Sequence, residues 1–144
     1  MKRDFISILD WTSEEIRSNL DFAVELKHQT KEGKCPQLLQ GKTFGLFFHK
    51  PSLRTRLSFE VGITQLGGTA IVLTEQDFKI GERETVSDVA RVMSRYVDCI
   101  LIRTFSHQMV LDLSKHATVP VVNMLTDFNH PCQVMSDMLT IKEK

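Results

Sequence analysis

The octapeptide His49-Lys50-Pro51-Ser52-Leu53-Arg54-Thr55-Arg56 has the residue types needed to hold a small anion. It follows a short apolar run and opens a helical pattern, so its backbone N–H groups fall at a helix N-terminus. Unpaired donors and the partial positive charge of the helix dipole favour phosphate there. Ser52 and Thr55 add hydroxyls, and Arg54 adds a planar fork that can take phosphate through two bonds. A plainer description also fits: Ser52 is an N-cap and the arginines are solvated. Arg103 closes the apolar run CILIR, and Asp127-Phe128-Asn129-His130-Pro131-Cys132-Gln133 opens the last helical pattern, with Pro131 suited to its first position. Alone, Arg103 reads as a rim residue with a buried stem, and His130 as a turn residue bonded to backbone. No second His or Cys lies at ligand spacing from His130, which argues against a metal site. Together, Arg54, Arg103, His130, Gln133, Ser52 and Thr55 describe a pocket for one small phosphorylated molecule.

That pocket exists only if separate elements bring the three stretches together. Apolar runs at 43–49, 69–74, 99–103 and 119–123 read as strands. They are continuous rather than alternating, as expected when both faces of a sheet are covered. Between them, helical spacing appears over 53–66, over Val86, Val89, Ala90, Met93 and Val97, over 106–116, and again from Val134 to Leu139. An N-terminal helix starts near Thr12, which has capping-box spacing to Glu15, and carries Ile16, Leu20, Ala23 and Val24 on one stripe. This alternation predicts an α/β domain: an open parallel four-stranded sheet flanked by helices, with right-handed crossovers. Ligands on such sheets lie beyond the C-terminal strand ends, just after 49, 74, 103 and 123.

The chain has 144 residues, a prior for one domain over 1–144. Lys+Arg and Asp+Glu are both 18, so the formal net charge is zero, which excludes a general affinity for nucleic acid or anionic membrane. Asp4 and Asp10 interrupt any apolar leader, and no run is long enough to span a bilayer. Cys35, Cys99 and Cys132 are odd in number and widely spaced, which fits a reducing compartment and a cytoplasmic location.

The stretches SLRTR (52–56), the strand ending in Arg103, and HPCQ (130–133) resemble the aspartate/ornithine carbamoyltransferase family, as do LSFEVGITQLGG (57–68), ETVSDVARVMSRYVD (84–98) and ATVPVVNMLTDFNHPCQ (117–133). The resemblance covers nearly the whole chain. It implies attack of an amine on the carbonyl carbon of carbamoyl phosphate, with release of phosphate and no cofactor. It also implies that Ser52, the Leu53 backbone, Arg54 and Thr55 hold the phosphate, that Thr55, Arg103 and His130 contact the carbonyl oxygen, and that Gln133 bonds the carbamoyl NH₂. The family forms trimers through this domain, with a loop from a neighbour reaching the phosphate; Lys79 falls at that position. Arg56 is expected to pair with Glu60 one turn on rather than to act on substrate.

Within the family, HPCQ and TFSH (104–107) favour ornithine as acceptor, giving citrulline and a place in arginine metabolism. Lys79 and Leu53 depart from the usual ornithine pattern, so aspartate, acylated ornithine and putrescine stay open. Family chains run to about two domains by the usual size prior, and none of the amine-binding signatures is present here. The expectation is therefore the carbamoyl-phosphate-binding half, which alone binds its ligand weakly and turns over poorly or not at all. A non-catalytic ligand-binding or trimerising module is the competing class. A nucleotide-binding domain is disfavoured, because neither GxGxxG nor GxxxxGK[ST] follows the first strand.

Overall fold

The structure, a computed structural model, describes residues 2–77, 80–81 and 84–144. A single-turn 3-10 helix (Ile8–Asp10) precedes α1 (Ser13–Lys31). Then β1 (Thr43–Phe48), α2 (Leu53–Gln65), β2 (Thr69–Thr74), α3 (Val86–Met93), β3 (Cys99–Arg103), α4 (His107–His116), β4 (Val121–Leu125) and α5 (Pro131–Lys142) alternate as expected. The strands form one sheet, in the order β2-β1-β3-β4, with every pairing parallel. Phe5 extends it by bridging to Val122 beyond β4. Among the described residues no helix is long and apolar enough to cross a membrane.

The pleat of β1 divides the core. Leu46 and Phe48 pack with Ile63, Leu101 and Met124 on one face, under α2 and α5. Phe47 packs with Val89, Ala90, Ile100, Ile102, Val110 and Leu113 on the other, under α3 and α4. Each such side chain, fully buried, contributes about 1.5–3 kcal/mol. Gly45 permits close approach of α3, since a Cβ there would lie 2.7 Å from Met93 Cε. The α2 exit turns on Gly67, whose φ of +88° suits a residue without a Cβ. The capping box at α1 forms as its spacing predicts: Glu15 N–H donates to Thr12 Oγ1 at 3.2 Å, and Thr12 N–H to Glu15 Oε2 at 2.8 Å.

Four expectations need correction. The fourth strand is 121–125, not 119–123: Pro120 has no N–H, and the ladder starts where its carbonyl accepts from Ile100 N–H at 2.9 Å. The crevice there accordingly opens after Leu125. The helix after residue 85 stops at Met93, short of Val97, because the chain must turn so that Asp98 can meet β1; Thr43 N–H donates to its carboxylate at 2.8 Å. β2 is an edge strand and is not covered on both faces, with Ile71 45% exposed. In α1 only Leu20 is buried and Val24 is exposed, because the helix rests on little beyond α5.

Candidate functional site

The sheet order reverses between β1 and β3: the chain leaves β1 toward β2 on one side and returns to β3 on the other. A crevice opens at such a switch point. Here it is closed underneath by the Arg103 carbonyl, which accepts from the N–H groups of His49 (2.9 Å) and Lys50 (3.4 Å). The loop leaving β1 is therefore tied to the end of β3 before it reaches α2.

Ser52 caps α2. Its hydroxyl accepts from Thr55 N–H at 3.3 Å and donates to Thr55 Oγ1 at 3.0 Å. Leu53 and Arg54 are the first two residues of the helix, so their N–H groups have no intrahelical acceptor. No acidic residue sits in that first turn to compete for an anion. The Arg54 side chain is exposed and makes no hydrogen bond or ion pair among the described residues. Arg56 does pair with Glu60, at 2.9 Å. The Leu53 side chain is 73% exposed, so only its backbone can serve a ligand at the loop.

Arg103 reaches the same turn from β3. Its Nη1 donates to Thr55 Oγ1 at 3.2 Å, while its Nε is buried without a partner among the described residues. Thr55 Oγ1 thus accepts twice, from Ser52 and from Arg103. A hydroxyl has two acceptor lone pairs and one proton, so the Thr55 proton is left to donate outward. Burial lowers the pKa of the Arg103 guanidinium, but its high starting value keeps it cationic. The aim of Arg103 depends on a bulge: Ile102 pairs with Asn123 but Arg103 pairs with Leu125, so Met124 is skipped.

His130 caps α5, with Pro131 in the first turn. Its Nδ1 accepts from Gln133 N–H at 3.3 Å, which puts the ring proton of the neutral imidazole on Nε2. Burial, then the Arg103 charge, lower the His130 pKa against an opposing pull from Asp137. The neutral ring, a donor through Nε2–H, is the favoured state. Gln133 Nε2 donates to Asp137 Oδ1 at 2.8 Å, so its Oε1 remains available as an acceptor.

Arg54, Thr55, His130 and Gln133 line one cleft of about 480 Å³, together with Phe5, Ser58, Phe59, Cys132, Met135 and Ser136. Ser52 and Leu53 line a second cleft on the other side of the α2 N-terminus, with His49, Arg56, Thr74 and Glu75. Arg103 lines neither cleft and reaches this turn through its bond to Thr55 Oγ1, so the other predicted residues flank the first turn of α2 from two sides and Thr55 is the hub. Lys79 lies outside the described residues.

Sequence reasoning missed several residues here. Phe59 and Ser136 lie one turn beyond Thr55 and Cys132, so helical spacing could have found them. His49 bonds Thr104 Oγ1 through Nδ1 at 3.0 Å and meets Glu75 through Nε2 at 2.6 Å, a pairing across β1 and β2 that spacing cannot reveal. Cys132 donates to the Asn123 carbonyl at 3.3 Å, and burial pushes its thiol up to about 12. It is a packed, un-ionised thiol.

Comparison with known proteins agrees with this geometry. Residues 3–143 match the family described as the aspartate/ornithine carbamoyltransferase, carbamoyl-P binding domain. An ornithine carbamoyltransferase from Anoxybacillus flavithermus is 52% identical over 141 residues, covering 98% of this chain and 45% of the relative. The anabolic ornithine carbamoyltransferase of Pyrococcus furiosus is 51% identical over 142 residues, with 99% and 45% covered. The solved ornithine carbamoyltransferase from Pyrococcus furiosus superposes with a TM-score of 0.96 at 50% identity, over 98% of this chain and 45% of that one. The solved enzyme from Burkholderia thailandensis gives 0.95 at 40% identity, over 98% and 49%. The chain thus spans somewhat under half the length of the relatives it matches. A sheet of this order and a helix N-terminus served by Arg103 and His130 accompany that sequence match over nearly every residue, and the chain belongs to the aspartate/ornithine carbamoyltransferase family, in its carbamoyl-phosphate-binding domain.

Proposed function

We propose that this chain binds carbamoyl phosphate and supplies that half of a site in which the carbamoyl group passes to the side-chain amine of ornithine, giving citrulline and phosphate. The observation that carries the reading is the donor set around Thr55. Its outward O–H, the cationic Arg103 bonded to it and the Nε2–H of neutral His130 are three donors for one carbonyl oxygen. As the amine adds, that oxygen becomes anionic, and each fixed donor of this kind is worth about 3–4 kcal/mol of barrier. Gln133 Oε1, left free by the bond to Asp137, takes the carbamoyl NH₂. The phosphate lies on the Leu53 N–H and Arg54, whose charge offsets that on the leaving group, while the Ser52 hydroxyl, its one proton given to Thr55 Oγ1, orients that threonine.

Ornithine is the acceptor carried by the names of the relatives. We assign no group on this chain to it. The same reading includes a homotrimer in which Lys79 reaches the phosphate of an adjoining subunit, a cytoplasmic location suited to three free cysteines, and service in arginine biosynthesis. Isothermal calorimetry with carbamoyl phosphate tests the central claim. The wild-type chain should give saturable heat. Arg54→Ala should abolish it while leaving the unliganded melting temperature within a few degrees, since the Arg54 side chain has no partner among the described residues. Equal binding by both proteins, or no heat above dilution for either, defeats the reading.

A further inference from the structure

Nothing in the donor set explains why the turn before α5 should hold still. His130 has the unusual backbone φ −137°, ψ 74°, and the bond to Gln133 is its one side-chain tether within α5. The residue before it is held by a buried polar network. Asn129 Oδ1 accepts from Asn123 Nδ2 at 2.6 Å, and Asn129 Nδ2 donates to the carbonyl of Ile6 at 3.3 Å. Asn123 is fully buried, and its Nδ2 also donates to the Ile6 carbonyl, at 3.0 Å. The Thr126 hydroxyl accepts from Asn129 N–H at 3.3 Å. An asparagine buried on a strand costs free energy unless its amide is satisfied, and the Asn123 Oδ1 is buried without a partner among the described residues, so its presence asks for a role.

The Ile6 carbonyl is itself fixed. Phe5 N–H donates to the Val121 carbonyl at 2.8 Å, and Asn123 N–H donates to the Phe5 carbonyl at 2.8 Å. Val121 N–H donates to Asp4 Oδ1, also at 2.8 Å. The N-terminal segment is thus stitched to β4 just below the point where β4 ends at the site. One backbone oxygen of that segment receives both asparagine side chains.

We propose that Asn129 is a positioning residue for His130, and that Asn123 and the Ile6 carbonyl are the anchor through which it acts. This rests on the reading of the cleft as a carbamoyl phosphate site. Tethered on its N-terminal side, the His130 ring keeps Nδ1 on Gln133 N–H and Nε2–H toward the ligand carbonyl. Without Asn129 the turn loses its side-chain bonds to β4 and to Ile6, and the imidazole samples other rotamers and the other tautomer.

The test compares the wild-type chain with Asn129→Ala and Asn129→Asp; the second keeps the shape and the acceptor for Asn123. The probes are phosphonoacetamide, a stable isostere of carbamoyl phosphate, and inorganic phosphate, which has no carbonyl. Calorimetry should give a wild-type preference for phosphonoacetamide that falls by about five-fold in Asn129→Ala, one hydrogen bond's worth, with phosphate affinity held within about two-fold. Asn129→Asp should lie between them. Nitrogen-15 NMR of labelled histidine, recorded without ligand, should show His130 as the Nε2–H tautomer in the wild type and as a mixture in Asn129→Ala. Should Asn129→Ala unfold, Asn129→Asp carries the same two readouts. An unchanged tautomer and an unchanged preference in a folded variant overturn the positioning role. A wild-type chain with no preference for phosphonoacetamide instead overturns the carbamoyl phosphate reading, and the tautomer measurement still decides the role of Asn129.

Discussion

Replacing Thr55 by valine removes one oxygen and leaves the side-chain shape almost intact, and it should disconnect the site. Thr55 Oγ1 accepts from Ser52 Oγ at 3.0 Å and from Arg103 Nη1 at 3.2 Å. A neutral hydrogen bond contributes about 1 kcal/mol and one from a charged donor about 1.5–3 kcal/mol. The Ser52 hydroxyl can turn to water, and Arg103 is only partly buried, so the sum is discounted to about 2 kcal/mol. Helix propensity does not offset this, because valine and threonine are nearly equal. For a domain of this size, about 2 kcal/mol lowers the melting temperature by roughly 4–8 °C. The Arg103 Nε already lacks a partner among the described residues, so Thr55→Val strands a second donor of the same guanidinium. Phosphonoacetamide binding should weaken by about five- to ten-fold through loss of the outward O–H. Thermal unfolding with and without ligand measures both effects, and Thr55→Ser, which keeps the hydroxyl, should restore most of each. A valine variant that melts within about a degree of the wild type and binds equally well refutes the hub described above.

Protonation of His130 should weaken the chain. The folded state holds its pKa below the ordinary 6.5, chiefly by burial, so the unfolded chain binds the proton more readily. The stability that His130 contributes is complete above that ordinary value and is lost as pH falls through it toward the folded one. His130→Asn keeps a capping side chain but cannot titrate, so its stability should depend less on pH below neutrality than the wild type does; parallel pH–melting curves count against this. Burial pushes the thiols of Cys99 and Cys132 up to about 12, so at pH near 8 both should resist iodoacetamide until denaturant is added. Rapid alkylation of either in the native chain, read by peptide mass mapping, contradicts the burial that raises these thiols.

Much of the molecule was legible in the residues because local physics decided it. Apolar runs the length of a strand, separated by helical spacing, leave a parallel sheet as the economical arrangement, and the cap at Thr12 and the pair Arg56–Glu60 follow from offsets along one helix. Pro131 marked the start of α5 because it has no N–H to lose there. The candidate site residues stood out by type, since phosphate asks for arginine, hydroxyls and a helix N-terminus wherever it binds. Tertiary structure decided what spacing along one chain cannot encode. The bulge at Met124 sets where Arg103 points, Thr55 is a hub only because Arg103 arrives from another strand, and β2 is half exposed because of its place at the sheet edge. The tie from Asn129 to the Ile6 carbonyl joins residues at opposite ends of the chain. Such contacts depend on the order in which strands pair, and that order is fixed by burial summed over the whole sheet rather than by any short stretch of sequence.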